Sequence, residues 1–81
     1  MQFSYDPRYN IAYIRFHKQR AEVESIRVSD ELIVDMTPDG TIYGIELLNA
    51  NNQLISEGRN VLEVINEATG QHVELTLPLG S

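Results

Sequence analysis

The sequence has no cysteine and no tryptophan. The first absence excludes a disulfide framework and thiolate metal sites, and it suits a reducing compartment. Long apolar runs are missing too, and none approaches the roughly 18 residues that a membrane span needs. Asp6 and Arg8 interrupt the N-terminus before any apolar stretch, so no secretory leader is expected. The expectation is a soluble, cytoplasmic protein with no membrane partner. Histidine is scarce: His17 and His72 stand most of the chain apart, with no carboxylate or second histidine at ligand spacing. Neither a metal nor another cofactor is expected. No serine sits in a nucleophile elbow and no glycine loop resembles a phosphate cradle, so no residue is assigned a catalytic role.

Positive charge is nearly absent from the second part of the chain. Residues 1–28 hold five bases against three acids, whereas the rest holds only Arg59 against nine acids, for a net charge of −6. Nucleic-acid affinity rests on Lys and Arg neutralising phosphates, so that class of partner is not expected. The Arg15, Lys18, Arg20 cluster lacks interleaved aromatics and reads as a solvated loop. An acidic surface keeps a protein soluble, and it also suits a basic protein partner.

What is present is a pattern of short strands. Eighty-one residues make one domain, and a chain of that size buries only about 60% of its unfolded surface, so a homo-oligomer is expected. The centre is Glu31 to Ala50, two apolar segments joined by Thr37-Pro38-Asp39-Gly40. Proline presets φ, aspartate suits the next position and glycine accepts positive φ, which predicts a three-residue hairpin loop with a bulge. Counting outward, Thr37 then faces Thr41, Met36 faces Ile42, Asp35 faces Tyr43, Val34 faces Gly44 and Leu32 faces Glu46. One face would hold Ile33, Asp35, Tyr43, Ile45 and Leu47, and the other Leu32, Val34, Met36, Ile42, Gly44, Glu46 and Leu48. Both are largely apolar, so both need cover, and the dent at Gly44 should receive a bulky side chain from the facing layer.

Before this hairpin the sequence predicts strands at 2–6, 11–16 and 22–28, with Ala12, Ile14 and Phe16 toward the core and, for the third strand, either a bulge near Ser25 or an edge position with looser demands. The first four strands are expected to be antiparallel neighbours. After it, Asn49 can cap a short helix reaching about Ile55, with Gly58 past its end. Residues 61–77 permit two readings. Glu67-Ala68-Thr69-Gly70 can close a hairpin that puts Val61, Ile65, Val73, Leu75 and Leu77 on one face. Alternatively, Leu54, Val61, Leu62, Ile65 and Ala68 form a helical stripe. The β-branched residues and Gly58 favour the hairpin.

Tyr5-Asp6-Pro7, Ala12-Tyr13-Ile14-Arg15, Ile33-Val34-Asp35, Asp39-Gly40 and Gly44-Ile45-Glu46-Leu47-Leu48-Asn49-Ala50 together resemble the small prokaryotic family called domain of unknown function 2283. The resemblance covers residues 2–50 and implies a compact antiparallel sheet with a following helix. It also implies a setting beside small ribonuclease-like toxins, and hence an antitoxin-like role. Two positions depart from the family: Asn10 stands where an acid usually precedes the second strand, and Thr37 replaces a second acid ahead of the turn. Both departures weaken any acidic metal cluster.

The expected fold is therefore α+β: a mainly antiparallel β-sheet of six to seven strands with one short helix after the central hairpin. Residues 1–81 form a single domain, in which 51–81 supply the short helix and the C-terminal hairpin. The candidate polar positions are Asp35, Glu46, Tyr43 and Arg15. In the register above Asp35 and Glu46 lie on opposite faces and cannot pair. Asp35 can accept a bond from the Tyr43 phenol, and Glu46 can accept from backbone or from Arg15 or Arg27, or can serve as a desolvated acid. Function is expected to be uncharacterised and non-enzymatic, an acidic protein-interaction module toward a basic partner. The alternatives are a homo-oligomeric scaffold and a small-ligand site or enzyme using Glu46.

Overall fold

The computed structural model describes residues 1–80. Their order is β1 (Gln2–Asp6), β2 (Ile11–Arg15), β3 (Glu24–Ser29), β4 (Leu32–Met36), β5 (Ile42–Leu48), α1 (Ala50–Leu54), β6 (Val61–Ile65) and β7 (His72–Thr76). Strands β1 to β5 form an antiparallel sheet in the order β1-β2-β5-β4-β3, and β6 and β7 form a separate hairpin. The fold class is the expected one, and residues 61–76 take the hairpin reading. Neighbourhood is not as expected: β2 pairs with β5 rather than β3, so β5 lies at the centre. The apolar β5 gains a partner on each edge that way, while β3, with all six residues exposed, takes the rim.

The central turn forms as its residues dictate. Thr37 and Thr41 meet through an N–H to O bond of 2.8 Å, Gly40 N–H reaches Thr37 O at 2.9 Å, and Gly40 has φ 89°. Met36 faces Ile42, but the register then shifts by one residue: Asp35 faces Gly44, Val34 faces Ile45, Ile33 faces Glu46 and Leu32 faces Leu47. Tyr43 is the extra residue. A bulge leaves one residue unopposed, and every position beyond it changes face. The expected faces are therefore corrected. Of the two readings of the third strand, the edge position holds, since β3 ends the sheet, and the bulge falls at Val28, between Arg27 and Ser29, rather than near Ser25.

Cross-strand rows define the two faces. One carries Phe3, Ile14, Ile45, Val34 and Ile26, then Tyr5, Ala12, Leu47 and Leu32. Its central strands are apolar there, with Glu24 and Ser29 joining only at the β3 rim, and Ala12 within it is fully buried. The opposite face carries Gln2, Arg15, Gly44, Asp35 and Ser25, then Ser4, Tyr13, Glu46, Ile33 and Arg27. The ionisable groups of the central strands gather there.

Helix α1 does not begin with a side-chain cap from Asn49, which sits in the left-handed region at φ 51°. The cap comes from another strand end. Asn10 Oδ1 accepts the Asn51 N–H at 2.9 Å, and Asn10 O accepts the Ala50 N–H at 2.9 Å. Two of the orphan donors that every helix start leaves are satisfied this way. Asn49 instead donates to Glu31 Oε2 at 2.9 Å, tying the helix start to the β3–β4 turn.

In the C-terminal hairpin Asn66 N–H reaches Gln71 O at 2.8 Å and Gly70 has φ 74°. Four residues lie in this loop, one more than in the central turn, and the register shifts accordingly. Leu62 faces Leu75 and Val64 faces Val73 on one side; Val61, Glu63 and Ile65 face Thr76, Glu74 and His72 on the other. The expected stripe of Val61, Ile65, Val73, Leu75 and Leu77 thus mixes two faces.

Candidate functional site

Four strands converge on one carboxylate. Asp35, near the end of β4, accepts from the Tyr13 hydroxyl at 2.7 Å through Oδ2 and from Ser25 Oγ at 2.6 Å through Oδ1. Ser25 is the direct cross-strand partner of Asp35, so its bond is local. Tyr13 is not a neighbour. It stands on β2, with β5 between, a span of about 10 Å at ordinary strand spacing.

Gly44 makes the crossing possible. It faces Asp35 across one ladder and Arg15 across the other, and a Cβ added there would stand 2.2 Å from Tyr13 Oη and 2.5 Å from Cζ. The tyrosine lies over bare backbone. The expected dent is real, but a side chain of the same sheet fills it rather than one from a facing layer.

Burial, with the bond to Asp35 after it, holds the Tyr13 phenol well above its ordinary pKa. Nearby carboxylate charge, including that of Glu46, acts in the same direction. Tyr13 therefore keeps its proton and works as a donor. Asp35, engaged through both oxygens, is a fixed acceptor. This is the geometry of a positioning network rather than of a nucleophile and its base, in which the base must be free to take a proton.

The sequence-expected residues fall as follows. Asp35 and Glu46 share a face, contrary to the expected opposition, because the bulge at Tyr43 reverses β5 against β4. Tyr43 does not bond Asp35. It is 9% exposed and donates to Gln19 O at 3.0 Å, with the His17 ring 6.3 Å from its own. Arg15 shares the face of Asp35 and Glu46, yet the ion pairs among the described residues are Arg8 with Asp6 at 3.0 Å and Arg59 with Glu74 at 3.9 Å. Among the described residues no three His, Asp or Glu are grouped to hold a metal ion.

Tyr43 also borders an open groove of about 490 Å³ between residues 17–21 and the central turn, with Arg20 and Asp39 on its rim. Asp39 is engaged by Thr37 Oγ1 and by the Thr41 N–H, which hold its carboxyl below the ordinary value.

Two contributors escaped the sequence reading, Tyr13 as the long-range donor and Asn10 as the helix cap. The signal for Tyr13 was the mid-strand Gly44. For Asn10 it was an asparagine directly after a turn, a residue type that tolerates positive φ; here φ is 56°.

The family model described as "Protein of unknown function (DUF2283)" matches residues 2–51. The chain belongs to the DUF2283 family. No curated protein and no solved structure matches it. The DUF2283 match contains the whole Tyr13–Gly44–Asp35–Ser25 arrangement and the Asn10 cap. The β6–β7 hairpin lies outside the matched residues, so the DUF2283 part is the five-stranded sheet with the start of α1. Among the described residues no helix is long and apolar enough to cross a membrane.

Proposed function

We propose that the protein is a non-enzymatic interaction module of the cytoplasm that presents an acidic surface to a basic protein, in the manner of an antitoxin. The observation that carries this reading is the Glu63–Glu74 pair. The two carboxylates face each other across β6 and β7, and the nearest base, Arg59, stands 3.9 Å from Glu74 with its side chain 68% exposed. Like charges directly opposite destabilise a hairpin, so a cationic partner relieves a cost that the free chain carries. The engaged Asp35 and proton-holding Tyr13 support a non-enzymatic role.

A Glu46-based ligand site has less support, since no side-chain hydrogen bond or ion pair within the described residues orients Glu46. The test is capture of the tagged protein's partners from lysate at low salt, followed by native mass spectrometry. A stoichiometric basic protein that dissociates as salt rises supports the reading. A complex insensitive to salt, or no heterologous partner, counts against it.

A further inference from the structure

The chain exposes more surface than a finished small domain does. A folded monomer of 9.2 kDa has about 4,900 Å² of accessible surface, whereas this one has 6281 Å², an excess of roughly 1,400 Å². Its radius of gyration is 14.2 Å, against about 12 Å for a compact domain of this length. Among the described residues no large side chain is fully buried.

The excess has an identifiable apolar centre. On the face of the C-terminal hairpin away from Glu63 and Glu74, Leu62, Val64, Val73 and Leu75 are 47%, 49%, 53% and 49% exposed. They form two cross-strand pairs with no charge among them. A lone two-stranded hairpin is marginal in water without a surface against its apolar face.

We infer that a second copy of this chain covers that face, the two β6–β7 hairpins packing stripe to stripe about a two-fold axis. Three features favour a copy over another occupant. The chain's whole-surface excess of roughly 1,400 Å² exceeds the about 800 Å² that each partner of a standard interface buries, so a contact centred on the stripe has the area a stable dimer needs. The stripe is self-complementary in chemistry, apolar and uncharged, which a two-fold contact requires of a shared patch. The acids also point away from the seam, so copies of net charge −6 can meet there without opposing carboxylates. This inference goes beyond the acidic-partner reading and does not depend on it.

The test uses the purified full chain. Sedimentation equilibrium between about 1 and 100 μM should return a dimer whose melting temperature rises with concentration. Val64→Glu should give a monomer. Should that variant fail to fold, the sequence's lack of cysteine permits a second reading: oxidised Val64→Cys should cross-link as a dimer, and Glu63→Cys, on the acid face, should not. A wild-type monomer at about 100 μM overturns the inference. So does cross-linking through Glu63→Cys rather than Val64→Cys. Loss of basic-partner capture with the dimer intact would refute the functional proposal alone.

Discussion

Tyr13 crosses Gly44, its hydroxyl passing over the one position of β5 that has no side chain to reach Asp35 at 2.7 Å. Gly44 keeps an ordinary strand conformation, so space rather than φ demands the glycine. Gly44→Ala puts a methyl where the phenol lies and forces the ring aside. The expected cost is about 2–4 kcal/mol, combining overpacking with the lost bond. Denaturant unfolding measures it, and in a Tyr13→Ala background the same substitution should cost little, because nothing then occupies the space.

Tyr13 also makes stability fall at high pH. Its folded pKa is raised above the ordinary 10.0, so between the two values the folded chain holds a proton that the unfolded chain has released. The contribution is complete below about pH 10 and is lost as pH rises toward the folded value. Tyr13→Phe should cost about 1 kcal/mol at neutral pH and flatten the alkaline limb of the stability curve. An unchanged alkaline limb would show that another group governs it.

The strands, both glycine turns and the short helix are legible in the residues to within about two positions, the third strand running Glu24–Ser29 rather than 22–28, because turn chemistry and alternation are local. Facing was not. Tyr43 enters β5 as an unopposed residue, and the 67–70 loop is one residue longer than the 38–40 loop. Each single-residue change exchanges the faces of one strand against its partner, and nothing local announces it. That is why the pattern alone sets Asp35 and Glu46 apart and groups Val61 with Leu75. The Tyr13–Asp35 bond was illegible for a related reason: it joins strands made near neighbours by β5 slipping between them.

The two carboxylates that share a face should respond differently to neutralisation. Asp35→Asn takes the charged acceptor from Tyr13 and Ser25 and should cost about 1–2 kcal/mol. Glu46 has no such partners, and Glu46→Gln should change stability by less than about 0.5 kcal/mol. Thermal melts at neutral pH separate the two, since 1 kcal/mol moves a domain of this size by about 4–8 °C. A larger loss at Glu46 than at Asp35 would mean that Glu46 is the anchored acid.

Asn10 combines backbone and side-chain demands that no other residue meets together. Its φ of 56° suits asparagine or glycine. Its Oδ1 accepts from the Tyr5 hydroxyl at 3.1 Å and the Asn51 N–H at 2.9 Å, while Nδ2 donates to Asn51 Oδ1 at 2.7 Å. Asn10→Ala loses the conformation and the bonds, for about 2–4 kcal/mol. Asn10→Gly restores only the conformation and should recover about 1 kcal/mol of that. Asn10→Asp keeps both acceptor bonds and adds a negative charge near the first turn of α1. It loses the Nδ2 donations to Asn51 and Asn49 Oδ1, whose amides must turn to offer N–H instead; it should still be the mildest of the three. Calorimetry on the series orders them: Asp milder than Gly, and Gly milder than Ala, if the helix cap is the dominant role. If Gly matches Asp, the left-handed backbone matters and the cap does not.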